Sequence, residues 1–227
     1  MERNGIDANR YFKKFRLPCT ENYDPESLVP EKPFWYLINQ VAIQEMIPDF
    51  GMQVAQAVPW YRIDSLQPLL KDKRSLRDLL HAFCDLASKQ SNVSHFKVHE
   101  DKDICWFTNQ GQLLVSNDIQ MELYRVTSMI ELIQLAAGNK WKPLTVHLVM
   151  PKNKIVGRSR VLDGCKLVFS QQQTAIAFPA GLLNATITTV IVTDSVVTNA
   201  QDETAVLDRM QDKTELVSAL REIFYTM

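Results

Sequence analysis

The sequence predicts an α+β fold, a mixed sheet packed with helices and preceded by a helical subdomain. Three observations predict it. Apolar residues recur at helical spacing through the first 92 residues, and short aromatic and β-branched runs replace them after Asn92. At Gly138-Asn139-Lys140-Trp141-Lys142-Pro143-Leu144-Thr145-Val146-His147-Leu148-Val149-Met150-Pro151 a glycine stop, a Trp-x-Pro turn and an alternating strand follow directly on a long amphipathic helix.

Ile6, Tyr11, Phe12 and Phe15 give a short amphipathic helix that stops near Leu17-Pro18, and a polar loop with Asp24-Pro25-Glu26 and Val29-Pro30 follows. The second helix starts around Lys32-Pro33, where the missing proline N–H costs nothing, and carries Phe34, Leu37, Ile38, Val41, Ala42 and Ile43 toward Ile47-Pro48. Phe50-Gly51-Met52 begins a third, through Ala57. Ser75 is an N-cap for a helix whose stripe is Leu76, Leu79, Leu80, Phe83, Cys84, Leu86 and Ala87.

His95-Phe96-Lys97-Val98-His99 and Ile104-Cys105-Trp106-Phe107, joined by the charged turn Glu100-Asp101-Lys102-Asp103, read as a hairpin. Asp118 is placed to cap the helix carrying Ile119, Leu123, Val126, Met129, Ile130, Ile133, Leu135 and Ala136, and Gly138 supplies its left-handed stop. Strands near Val146–Met150, Leu167–Phe169 and Ala175–Phe178 complete the sheet. The Thr/Val-rich run from Ile187 to Val197 is a strand by propensity.

A final helix from about Asp212 places Leu216, Leu220, Ile223, Phe224 and Met227 on one stripe, still running at Met227, which raises the expectation that the natural chain continues. The expected division is residues 1–92 as the helical subdomain, 93–184 as the mixed sheet and helix, and 185–227 as a linker and terminal helix.

With 46% apolar residues in 227, the chain can bury a substantial core. Lys plus Arg (25) almost balance Asp plus Glu (26), which excludes the basic excess of a surface that grips DNA unaided. No apolar run reaches the length of a membrane span, and Met1-Glu2-Arg3-Asn4-Gly5 lacks a secretory signal, so a cytoplasmic location is expected. Cys19, Cys84, Cys105 and Cys165 form no C-x-x-C pair, as expected of reduced thiols.

The order of short patterns is more informative than any one of them. Gly5-Ile6-Asp7, the Asp-Pro and Val-Pro loop, Phe50-Gly51-Met52, Ser75-Leu76-Arg77-Asp78-Leu79-Leu80, the stretch from Glu122 through Pro151 and Gly164-Cys165-Lys166-Leu167-Val168-Phe169 together resemble the amino-terminal effector domain of one branch of the AraC/XylS-type bacterial transcription regulators. The resemblance covers roughly residues 5 to 184. Met150 stands where that branch often has histidine, and Lys166 where it often has proline.

The resemblance implies an effector-sensing and dimerising module that needs no cofactor and is not an enzyme. DNA would be read by a carboxy-terminal pair of helix-turn-helix units, which is absent here. It also implies a small-molecule effector, a homodimer, contact with promoter DNA only through that missing part, and no membrane. A small-molecule carrier that never touches DNA is the first alternative, and a cysteine-dependent hydrolase pairing Cys105 or Cys165 with His147 the second.

The effector-contact candidates are Trp106, Tyr124, Trp141 and His147. Trp106, Phe107, Tyr124 and Trp141 are expected to cluster around the sheet-to-helix junction, where amphipathic rings can line an apolar pocket. The dimerisation candidates are Leu216, Leu220, Ile223 and Phe224. His95 and His99 share one strand face and His81 could join them. Clear ligand spacing and an acidic surround are missing, so no metal is assigned.

Overall fold

The computed structural model describes residues 8–17, 31–57, 73–90, 94–111, 119–154, 156 and 161–187. Asp118, the run beyond Ile187 and the expected terminal helix with Leu216, Leu220, Ile223 and Phe224 lie outside them. The described chain is α+β. Helices α1 (Ala8–Phe15), α2 (Glu31–Gln44), α3 (Phe50–Ala57) and α4 (Leu76–Gln90) precede the hairpin of β1 (Ser94–Asp101) and β2 (Ile104–Gly111). Helix α5 (Ile119–Ala137), strands β3 (Thr145–His147), β4 (Lys166–Val168) and β5 (Thr174–Pro179) and a 3-10 helix over Ala180–Asn184 follow.

The first two helices end in the same way. At the end of α1 the Leu17 N–H reaches back to the Phe12 carbonyl (3.0 Å) with Arg16 at φ 54°. At the end of α2 the Ile47 N–H reaches the Ala42 carbonyl (2.8 Å) with Met46 at φ 54°. Both are Schellman stops built without glycine, and each turns an apolar residue, Leu17 or Ile47, back into the core. Phe34, Leu37, Ile38, Val41 and Ala42 are buried as their spacing predicts, but Ile43 is 68% exposed. It follows Ala42 by one residue, so the 100° step carries it off the buried stripe. Tyr11 donates to the Glu45 carboxylate (2.7 Å), tying α1 to the end of α2.

Ser75 caps α4 as expected: its Oγ accepts the Asp78 N–H (3.2 Å) and its hydroxyl donates to the Asp78 carboxylate (2.7 Å). The hairpin turns at Lys102-Asp103, and its strands are longer than their sequence runs suggested, with Ser94 opposite Gly111 and Asp101 opposite Ile104. The sheet has five strands in the order β1-β2-β5-β3-β4, with β3 and β4 parallel and the other pairs antiparallel. β3 is shorter than expected because the Val149 N–H bonds the Glu122 carboxylate (2.9 Å) instead of a neighbouring strand.

Alternation gives the sheet two unlike faces. Phe96, Val98, Phe107, Val146, Leu167, Ile176 and Phe178 turn toward the helices, joining Leu76, Leu79 and Leu80 of α4 and Leu123, Val126 and Ile130 of α5 in one core. A second core joins α1, α2 and α3 through Phe12, Phe34, Leu37, Ile38 and Phe50, and Met121 of α5 belongs to it. Helix α5 therefore lies between the sheet and the first three helices.

The contact of α5 with α3 is close enough to demand glycine. A Cβ on Gly51 would stand 2.0 Å from the Gln120 backbone oxygen. The Gly51 N–H donates to Gln120 Oε1 (2.7 Å), and Gln120 Nε2 donates to the Pro48 carbonyl (2.8 Å). Glu131 lies eleven residues beyond Gln120, about 20° from it around the helix and away from the sheet. Its Oε2 is buried with no hydrogen-bond partner among the described residues, and burial pushes the carboxyl up to about 8.

Two stability predictions follow from these contacts with α5. Gly51→Ala lowers unfolding free energy by about 3 kcal/mol in urea titration, since backbone must move to admit the methyl group. Gly181→Ala, whose Cβ would meet nothing within 4 Å, changes it by less than about 0.5 kcal/mol. For Glu131, the folded state holds a proton that the unfolded chain releases near 4.5, so its contribution is complete below pH 4.5 and is lost as pH rises to about 8. Glu131→Gln accordingly flattens the fall in stability over that window and stabilises the protein at pH 8 by about 2 kcal/mol.

Candidate functional site

The face of the sheet turned away from the helices carries the clearest arrangement of functional side chains. It presents His95, Lys97 and His99 from β1, Trp106 and Thr108 from β2, Ala175 and Ala177 from β5, Thr145 and His147 from β3, and Lys166 and Val168 from β4. Helices α4 and α5 both pack on the other face, and among the described residues no helix covers this one.

At its centre Trp106 and His147 meet across a strand. β5 runs between their strands, with Ala177 opposite Trp106 and Ala175 opposite His147. Two methyl groups leave room for the rings to lean together, with centroids 4.8 Å apart and planes at 47°. The rings in turn roof the alanines, which are only 1% and 2% exposed, while Trp106 and His147 themselves remain half-buried. Burial, and then the nearby Lys166 ammonium, hold the His147 imidazole below its ordinary pKa, so at neutral pH it is uncharged.

The other two ring candidates sit elsewhere. Tyr124 lies on α5 against Trp35 of α2 (5.5 Å between centroids), bonded to Ser128 and raised in pKa chiefly by burial. Trp141 follows the Gly138 stop, where φ is 85°, and meets Phe178 edge-on at 6.3 Å. Gln134 closes that turn by donating to the Trp141 carbonyl (2.9 Å). Trp106, Phe107, Tyr124 and Trp141 thus form no single cluster: strand alternation puts Trp106 and Phe107 on opposite faces, and α5 separates Tyr124 from the sheet.

The three imidazoles considered for a metal are also divided. His95 and His99 point to the open face, whereas His81 of α4 lies near Glu100, on the helix side of β1. Glu100 is held there in a salt bridge with Arg77. Among the described residues no group of three or more His, Cys, Asp or Glu is placed to hold a metal ion.

Cys105 is buried on the helix side of the sheet, and Cys165 packs against the same core, so neither faces His147. Burial pushes the Cys84 thiol up to about 11 and Cys105 up to about 12, and raises Cys165. The described thiols are therefore poor nucleophiles at neutral pH. The open face offers rings, ammonium groups and hydroxyls without an activated nucleophile, a set suited to binding rather than bond-breaking.

A cleft of about 460 Å³ opens at the far end of β1, between Cys84, Asp85 and Ser88 of α4 and His95, Phe96 and Lys97 of β1. It is open, shares His95, Lys97 and Gln110 with the face that bears Trp106, and includes the acid Asp85 in its lining. Residues that the sequence did not single out for this face are Lys166, Ala175 and Ala177. Their roles depend on strand neighbours that no local pattern discloses.

Comparison with known proteins follows the same outline. The family model described as the arabinose-binding domain of AraC transcription regulators, amino-terminal, matches residues 5–187. No curated protein sequence matches the chain significantly. Among solved structures, the crystal structure of the transcriptional regulator CdpR from Pseudomonas aeruginosa is similar with a TM-score of 0.56 and 12% identity. The likeness covers 82% of this chain and 59% of that one, and it shows the fold. Among the described residues no helix is long and apolar enough to cross a membrane.

Alkylation checks the reading of the thiols. Cys84, Cys105 and Cys165 are expected to react with iodoacetamide at pH 7 at least about tenfold more slowly in the native protein than in 8 M urea, as resolved by peptide mass spectrometry. Fast native labelling of any of the three would restore a cysteine nucleophile.

Proposed function

Because the chain belongs to the family of arabinose-binding amino-terminal domains of AraC transcription regulators, we propose that it is the effector-sensing and dimerising module of a DNA-binding regulator acting in a bacterial cytosol. The observation that carries this reading is the reach of the family match: residues 5–187 take in every described element from α1 to the 3-10 helix. The module binds a small-molecule effector and carries out no chemistry of its own. A separate helix-turn-helix part reads promoter DNA, as befits a module whose charges nearly cancel at a net −1.

An effector acts here through differential affinity. If it prefers one of two arrangements of the module by about tenfold, it shifts their ratio by the same factor, or about 1.4 kcal/mol. The packing offers a route for such a shift. Trp106 and His147 share their strands with Phe107 and Val146, whose side chains pass through to the core that α5 completes. Helix α5 in turn contacts α3 at Gln120 and Gly51. Dimerisation is assigned to the apolar stripe of Leu216, Leu220, Ile223 and Phe224, since apolar residues at helical spacing need a surface to bury them.

The test separates dimerisation from DNA reading. Residues 1–227 are expected to sediment as a dimer at micromolar concentration and as a monomer once Leu220→Asp and Ile223→Asp are combined. In fluorescence anisotropy the same chain shows no sequence-selective binding to duplex DNA. Tight selective binding by residues 1–227, or a wild-type monomer, overturns this division of labour.

A further inference from the structure

We propose that the open face of the sheet is the effector-contact surface, and that it takes a flat apolar molecule bearing a carboxylate, with Trp106 against the flat body and Lys166 against the charge. This rests on the effector-sensing reading above and specifies the site and the chemical class. The charge distribution carries it. Among the described strands the ionisable side chains of this face are Lys97 and Lys166, on the two outer strands, with His95, His99 and His147, and the acidic member, Asp101, stands at the hairpin end of β1 opposite Ile104. Glu100, the other acid of β1, is on the helix side in its salt bridge with Arg77.

The two lysines are not equivalent. Strands stand about 4.8 Å apart, so Lys97 on β1 and Lys166 on β4 are separated by roughly 19 Å at the backbone, too far to share one small anion. Each stands diagonally across the next strand from one ring, Lys97 from Trp106 and Lys166 from His147. The Thr108 hydroxyl opposite Lys97 donates to the Lys97 carbonyl (3.3 Å), whereas Lys166 stands opposite Thr145 and beside His147, which feels its charge. With His147 neutral, Lys166 is the cation on the β3 side of the rings, and the imidazole and the Thr145 hydroxyl supply hydrogen bonds there.

The apolar element is the half-buried Trp106 ring. Because Trp106 and His147 roof the alanines, a ligand lies on the rings and does not enter between them, so the contact suits a flat molecule. The cleft beside α4 is the competing location. Its lining includes an acid, Asp85, and no tryptophan, so it offers neither an acid-free surround for a carboxylate nor the platform.

Isothermal titration calorimetry on the chain 1–227 tests this with 2-naphthoate and 2-naphthamide, probes of the same shape that differ in charge. The expected result is naphthoate binding roughly tenfold tighter than the amide at pH 7.5. Lys166→Met, an exposed change, lowers naphthoate affinity to the level of the amide and leaves amide binding unchanged, while Trp106→Leu weakens both probes. Equal affinity for the two probes, or indifference of naphthoate to Lys166→Met, overturns the anionic class while leaving the effector-sensing reading in place. Absence of binding by either probe overturns the site as well. Whether the regulator reading falls with it is decided independently by the sedimentation and DNA measurements.

Discussion

Two polar residues near the start of α5, both almost wholly buried, fix the relation between the layers of this molecule. Gln120 and Glu122 are two positions apart, about 200° around the helix, so they point to nearly opposite sides. Gln120 joins α5 to the α2–α3 corner through Gly51 and Pro48. Glu122 joins it to the sheet side, accepting the Val149 N–H and the Thr174 hydroxyl, with Arg125 at 3.6 Å. Apolar packing alone lets a helix slide or rotate by small amounts, whereas a buried polar group left without its partner costs about 1–3 kcal/mol. The rotation of α5 is thereby set, and with it the residues it offers to each core.

That arrangement explains which parts of the fold were legible in the sequence. The helices announced themselves through periodic apolar stripes, and α3, α4 and α5 begin or end where Phe50, Ser75 and Gly138 signal. Those signals are local, because capping and left-handed stops depend on a few consecutive residues. The stops at Arg16 and Met46 were legible only through the prolines nearby, since neither residue advertises a positive φ. In α5, apolar and polar residues alternate on all sides because two layers use it. Periodicity detects the helix there but does not reveal that Gln120 and Glu122 are its fasteners.

The functional face was less legible for a related reason. Strand alternation turns His147 away from Val146 and Leu148, which are wholly buried. Its meeting with Trp106 required the strand order, in which β5 arrives from some seventy residues beyond β2 to lie between β2 and β3. Nothing near Trp106 in the chain encodes that neighbour. The same crossing places Ala175 and Ala177 under the rings, and a larger residue at either position would hold them apart. Tyr124 and Trp141, singled out by the same aromatic criterion, instead fill gaps in apolar packing at the two sides of α5.

The two faces of β2, β5 and β3 are therefore coupled by construction. A side chain that moves on the open face tilts a strand whose alternate residues, Phe107, Ile176 and Val146, are wholly buried against α5. A packed interior does not absorb such a tilt gradually, because its density leaves few voids. Glu122 meets this same group of strands twice, accepting from Thr174 at the start of β5 and from Val149 just after β3. Displacement of either strand is thus resisted at Glu122 or passed to the helix. Because Gln120 lies only two residues away on the other side of α5, what reaches the helix reaches the α3 contact as well, where Gly51 leaves no slack for backbone to shift alone.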